Sequence, residues 1–173
     1  MSYSPNESIV ERAAGGDREA MAEIAREHYA AIFRFCARRV GPDLAADAAQ
    51  DTFVSAQRSI RGFAGHSSLS TWLFGIANNH CRSLARKRKM EVDYAYALEK
   101  PTREDASAIV NREALRTGLL ALSKEHREVI VLHELDGLTY DEAAEVLGVP
   151  SGTVKSRLHH GFLHLRRILG GAA

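Results

Sequence analysis

The sequence predicts an all-α protein of two small helical domains joined by a flexible linker, the second containing a helix-turn-helix. Three observations predict it. Apolar residues recur every three or four positions through most of the chain, strand-like alternation is found nowhere, and the helical period lapses once, between Met90 and Ser107. The 173 residues suffice for one domain or two small ones, each burying a modest core, and an apolar content of 45% excludes wholesale disorder. The lapse divides the chain into residues 1–90, a linker at 91–107 and a second domain at 108–173.

Helical spacing runs from Ser8 to Arg39 with one break at Ala14-Gly15-Gly16-Asp17. Ile9, Val10 and Ala13 belong to a short first helix, and Asp17 is placed to cap the next. That second helix carries Met21, Ile24, Ala25, His28, Tyr29, Ile32, Phe33 and Cys36 as a core stripe, with His28 and Cys36 read as packing residues rather than ligands.

Gly41-Pro42 ends it, and a third helix is expected from about Leu44 to Gly62. Ala48, Ala49, Phe53, Val54 and Ile60 can supply its buried positions. Asp47, Gln50, Asp51 and Val54 fall at spacings of three and four along one side, which makes that side either a wetted face or a docking face.

The stretch Arg61 to Ser68 reads as a loop containing two glycines, Phe63, His66 and Ser67. Ser70 or Thr71 is the expected cap of the next helix. Trp72, Leu73, Ile76 and Ala77 make that helix apolar at its start, and Asn78, Asn79, Arg82 and a basic run of Arg86, Lys87, Arg88 and Lys89 make it cationic at its end. An aromatic-bearing loop beside Asn and Arg suits unstacked bases, although Trp72 and Phe74 are more often core residues.

In the linker, Glu91, Asp93, Glu99, Glu104 and Asp105 outnumber Lys100 and Arg103, Pro101 interrupts, and Tyr94 and Tyr96 have no assigned part. Helical spacing returns at Ala108. Ile109, Leu115, Leu119 and Leu120 lead to Leu122, Ser123 caps a further helix through Val129, Ile130, Leu132 and Leu135, and Asp136-Gly137 makes a turn.

From Thr139 to Leu169 the pattern is that of a helix-turn-helix. Thr139 and Glu142 form a capping box, Ala143, Ala144 and Leu147 line a small inner face, and Gly148 stops the helix. After Val149-Pro150, Ser151 is the expected cap of a second helix with Val154, Leu158, Phe162 and Leu165 inward. Ser151, Thr153, Lys155, Ser156, Arg157, His159 and His160 are then available to a DNA major groove.

Net charge is +1, so nucleic-acid binding rests on how charge is distributed. The run from Arg82 to Lys89 is one basic zone. The other is the C-terminal stretch, where Lys155, Arg157, Arg166 and Arg167 lie beyond the last carboxylate, Glu145. No Gly-rich phosphate loop, nucleophile elbow, paired-cysteine zinc motif or HExxH helix is present. His160 and His164 lie one helical turn apart without a third ligand nearby in sequence, so no metal, no cofactor and no catalytic residue is expected. Cys36 and Cys81 are too few for a disulfide framework and no signal peptide is evident, which makes a reducing cytoplasm the expected home. No apolar run approaches membrane-spanning length, so a soluble chain without membrane insertion is expected.

With these elements placed, the chain resembles the extracytoplasmic-function group of bacterial sigma factors over nearly its whole length. The resemblance rests on Asp47-Ala48-Ala49-Gln50-Asp51-Thr52-Phe53, on Phe63, on Ser68 through Asn79 and on the basic run that follows. In the second half it rests on Leu122 through Val129, on Leu138 through Ala144 and on Gly148 through Arg157.

The resemblance implies a non-enzymatic initiation factor that binds core RNA polymerase and promoter DNA, with an anti-sigma factor as a further partner. The helix bearing Asp47, Gln50, Asp51 and Val54 would dock on the clamp helices of polymerase. Phe63, His66, Ser67, Asn78, Asn79, Arg82 and Arg86 would capture and melt the −10 element, with a flipped base in the loop. The acidic linker would thread toward the active-site cleft and RNA exit path. The last helix would read the −35 element. The rival reading is a stand-alone helix-turn-helix regulator.

The chain departs from the family pattern at two places. Where relatives often carry Arg after the position of His159, it has His159-His160-Gly161-Phe162. Imidazoles are weaker, pH-dependent partners than guanidinium, and Gly161 costs roughly 1 kcal/mol of helix propensity relative to Ala. Ala48 stands where a larger aliphatic is common.

Overall fold

The computed structural model describes the backbone of residues 5–88 and 106–170 and the side chains of residues 9–87 and 113–170. Every regular element among the described residues is helical. The chain divides into two compact units, Met1–Glu91 and Val92–Ala173. Residues 91–105 of the expected linker, with Tyr94 and Tyr96, lie outside the described residues.

Unit one contains α1 (Pro5–Ala14), α2 (Arg18–Val40), α3 (Pro42–Ser59), a short 3-10 turn (Ile60–Gly62) and α4 (Leu69–Arg88). Asp17 caps α2 as expected, its carboxylate accepting from the backbone N–H groups of Glu19 and Ala20 at 2.9 and 3.2 Å. Alanines explain how α3 seats itself. Ala45, Ala48, Ala49 and Ala56 are fully buried, and Thr52 among them satisfies its hydroxyl by donating to the Ala48 carbonyl at 2.7 Å. Small side chains on that face let α2 and α4 pack close against it. Ala48 is thus one of a row of small buried residues.

The core stripe of α2 differs from its expected form. Ile24, Ile32 and Cys36 are buried, but Tyr29 is 44% exposed, Phe33 and His28 are half-buried, and Phe35, absent from the expected stripe, is fully buried. Phe35 meets Phe74 of α4 at 4.9 Å between ring centroids. Arg39 lies over the Phe35 ring, its guanidinium 3.5 Å from the centroid and its Nη1 donating to the Phe35 carbonyl. A buried Phe contributes about 1.5–3 kcal/mol. The stacked cation keeps the site from being wholly apolar.

Unit two contains α5 (Ala106–Ala121), α6 (Lys124–Ile130) running on through a π-helical turn (Val131–Leu135), α7 (Tyr140–Leu147) and α8 (Ser151–Gly170). Helix α5 opens at Ala106, two residues ahead of the expected return of helical spacing. Ser123 caps α6, accepting from the His126 N–H. Arg127 then reaches back and donates to the carbonyls of Leu120 and Leu122, both at 2.9 Å, which satisfies acceptors left over at the end of α5.

Candidate nucleic-acid interface

The helix-turn-helix is built from local bonds that the sequence announces. The Thr139 hydroxyl accepts from the Glu142 N–H at 3.3 Å while the Glu142 carboxylate accepts from the Thr139 N–H at 2.9 Å. Gly148 ends α7 at φ 68°, ψ 38°, a left-handed conformation that side chains resist, and the Val149 N–H closes back on the Ala144 carbonyl at 3.0 Å. Val154, Leu158 and Leu165 of α8 are buried against the unit.

Two expectations for α8 are corrected. Ser151 is the first residue of the helix and its buried Oγ caps nothing, because the Pro150 carbonyl instead accepts from Thr153 and Val154. Phe162 is 42% exposed, and the inward position belongs to Gly161. With 3.6 residues per turn, buried Val154, Leu158, Gly161 and Leu165 share one face, and Phe162 falls on its edge. Glycine there has a packing reason. A Cβ at residue 161 would stand 3.0 Å from Ile130 Cδ1 and 3.3 Å from His126 Cβ, so the missing methyl lets α8 approach α6 closely.

The remaining sequence-predicted residues of α8 sort by face. Ser156, His159 and His160 are exposed opposite the buried face, and Lys155 is exposed on the flank beside Tyr140, 5.7 Å from its ring centroid. Thr153 and Arg157 are half-buried on the flank toward α6, where Glu125 is held below its ordinary pKa first by a backbone hydrogen bond, then by the Ser123 hydroxyl, with the Arg157 charge a smaller contributor. Tyr140, 40% exposed, joins the surface without having been foreseen, and its signal was an aromatic in the first turn of α7. His164 turns to His126, ring centroids 5.4 Å apart, and His160 to His159 at the same separation. Among the described residues no cluster of His, Cys, Asp and Glu is arranged to hold a metal ion.

In unit one, Ser68 rather than Ser70 or Thr71 opens α4, its hydroxyl accepting from the Thr71 N–H at 3.0 Å. Phe63 opens the loop and packs on Trp72, ring centroids 5.2 Å apart, and both rings are half-buried. Gly65 turns the loop with φ 71°, leaving His66 exposed and Ser67 half-buried. Along α4, Trp72, Asn79, Arg82 and Arg86 follow at spacings of seven, three and four, so a half-exposed to exposed polar stripe continues from the loop.

Asn78 does not belong to that stripe. It is 1% exposed and faces the interior, because the helical turn that presents Asn79 to solvent carries its neighbour inward. Asn78 is therefore corrected from a nucleic-acid contact to a buried polar residue.

On another side of unit one, Asp47, Gln50, Asp51 and Val54 are all exposed along α3, Val54 by 39%. Beside them lies a shallow groove of about 500 Å³ between α2 and α3, lined by Tyr29, Phe53 and Val54 among others. Tyr29 stacks between Phe33 and Phe53 at 6.2 Å from each.

Residues 24–91 match the family model for sigma-70 region 2, and residues 112–165 match that for sigma-70 region 4. RNA polymerase sigma factor YlaC of Bacillus subtilis is 33% identical over 159 residues, covering 87% of this chain and 92% of its own. ECF RNA polymerase sigma factor SigW of the same organism is 34% identical, covering 89% of this chain and 91% of its own. The chain belongs to the extracytoplasmic-function sigma factors. The sigma factor RpoE of Bartonella quintana, solved in complex with the anti-sigma factor NepR, superposes with a TM-score of 0.67 at 26% identity, covering 86% of this chain and 96% of that one. A promoter-recognising sigma factor accounts for both units, which a stand-alone helix-turn-helix regulator does not.

Proposed function

We propose that this sigma factor divides its work between three surfaces. The exposed α3 face of Asp47, Gln50, Asp51 and Val54 docks on core RNA polymerase. Phe63, His66, Ser67, Asn79, Arg82 and Arg86 take the −10 element, with an unstacked base held in the loop. The outer face of α8, with Ser156, His159 and His160 at its centre and Ser151, Thr153, Lys155 and Arg157 at its margins, reads the −35 element. Residues 1–90 and 108–173 are the two readers, and 91–107 the acidic tether between them.

One observation supports the reading: unit one bears an exposed acidic stripe on α3 and an aromatic-to-basic stripe from Phe63 along α4, two surfaces suited to gripping a protein and a single strand at once. Opening DNA then needs no hydrolysis, because binding an unstacked base offsets an unstacking cost of a few kcal/mol. The chain acts by recognition, without catalysis, in the cytoplasm where polymerase resides. Among the described residues no helix is long and apolar enough to cross a membrane. An anti-sigma factor is its expected regulator, since the Bartonella relative is bound by one.

A mobility-shift assay on a promoter fragment tests the division of labour. The fragment is expected to shift with the chain and core polymerase together and not with the chain alone. Tight duplex binding by the chain alone, unaltered by polymerase, would favour the regulator instead.

A further inference from the structure

The α3 stripe of Asp47, Gln50, Asp51 and Val54 continues for another turn. Gln57, Arg58 and then Arg61 of the 3-10 turn extend it, and the charge reverses from acidic to basic just before Phe63. There the end of α3 faces the start of α2 across a groove of about 250 Å³, whose charged lining is Arg18, Arg58, Arg61 and Asp17.

The charges in this groove do not cancel within the protein. Asp17 is already occupied: it caps α2 and accepts from Arg12 at 2.7 Å, and the Arg12 hydrogen bond, with the Ala20 N–H, holds its carboxyl below the usual range. Arg18 and Arg58 are exposed and make no ion pair or hydrogen bond with the described residues. Arg61 donates from Nε to the Ala14 carbonyl at 3.1 Å, which fixes its position while leaving its Nη groups for another acceptor. Planar guanidinium forks suit phosphate oxygens, and anchoring one of them lowers the ordering cost of binding.

We infer that the Arg18–Arg58–Arg61 groove holds a backbone phosphate of the single strand whose base enters the Phe63–Ser67 loop. The inference rests on the loop reading given above, and its support is continuity: Arg61 lies two residues before Phe63, so the groove adjoins the start of the loop.

The test uses holoenzyme reconstituted from the full chain and core polymerase. Its ligand is a fork-junction fragment, single-stranded across the −10 element, of a promoter mapped with that holoenzyme. Arg18→Gln and Arg58→Gln remove side chains without internal partners, so the fold is left intact. Each is expected to weaken fork binding and to reduce the salt slope by about 0.7, the value for one phosphate on a single strand. A neutral methylphosphonate at the contacted linkage should erase the difference between variant and parent. Unchanged slopes for both variants, with Phe63→Ala still weakening the fork, would overturn the groove and leave the loop reading standing. No effect from Phe63→Ala would remove the loop reading, and the groove assignment with it. Loss of affinity for core polymerase without DNA would show that the groove binds an acidic protein surface, and would also overturn the assignment.

Discussion

Phe63 and Trp72 meet across the junction of loop and helix, their ring centroids 5.2 Å apart and their planes tilted by 51°. Trp72 sits in the first turn of α4, so this contact ties the start of the loop to the helix that carries Asn79, Arg82 and Arg86. In the proposed reading, a base seated in the loop would lie in fixed register with the basic stripe. Phe63→Ala should weaken binding of a single-stranded −10 fork by about 1–3 kcal/mol, the range for one stacked base. Its cost to folding should be near that of one aromatic pair, about 0.5–1.5 kcal/mol beyond lost area. Fluorescence anisotropy with the fork, beside a thermal melt, separates the two. A lowered melting temperature with unchanged fork affinity would make Phe63 a packing residue only.

Gly161→Ala poses a contest of signs. Helix propensity favours alanine by about 0.8–1.0 kcal/mol. Against that, the new methyl stands 3.0 Å from Ile130 Cδ1, and Ile130 is only 4% exposed, with little room to yield. Overpacking costs about 1–3 kcal/mol, so net destabilisation of roughly 1 kcal/mol is expected. Ile130→Val removes Cδ1 and should make Gly161→Ala neutral or stabilising in that background. Denaturant unfolding of the four chains of the cycle gives the coupling, and additive effects would show that Ile130 is not the obstacle.

His126 sits where α6 meets α8. Burial lowers its pKa below 6.5, and the neighbouring His164, His160 and Arg157 push the same way against an opposing Glu125. His28 is lowered too, again by burial. The folded state thus binds a proton less readily than the unfolded chain. Stability should be fully present above pH 6.5 and fall as the pH drops below that value toward the folded pKa. His126→Gln should flatten this dependence, read as the melting temperature of the full chain at pH 5 and pH 7.5. A slope retained in His126→Gln would assign the proton uptake to other groups.

How much of this was legible in the sequence follows from where the information lies. Caps and turns at Asp17, Ser123, Thr139 with Glu142, and Gly148 are encoded by neighbours a few residues apart, and each was readable. Which way a residue faces across a helix pair was less so. Phe35 and Phe33, or Gly161 and Phe162, differ by one or two positions, and only packing against α4 or α6 decides which is buried. Asn78 and Asn79 are alike in composition, yet one is interior and the other exposed. Arg39 over Phe35 and Arg61 on Ala14 are contacts that helical periodicity does not encode. The exposed stripe of α3 was legible because its four residues share a face in any helix. The basic groove beyond it was not, since Arg18 comes from a different helix.

On α8, Lys155 lies on an exposed flank and Arg157 on the flank toward α6. Lys155→Ala should lower the salt slope of −35 duplex binding by about 0.9 if it neutralises one phosphate. Arg157→Ala should change the slope less, because Arg157 is half-buried on its flank whereas Lys155 is exposed. Titration of holoenzyme with a −35 duplex across a salt series measures both, and equal slopes for Lys155→Ala and the parent would remove Lys155 from the phosphate contacts.

The proposed function gives core polymerase promoter-specific initiation through a grip on α3 and a single-strand reader beside it. Run-off transcription with purified core polymerase checks this by comparing the parent chain with Asp51→Arg, which reverses an exposed charge on α3. The parent should yield one discrete transcript from a mapped promoter, and Asp51→Arg should yield markedly less, recovering as its concentration rises. No promoter-specific transcript from the parent chain, at any concentration that saturates core polymerase, would show that the chain does not direct initiation.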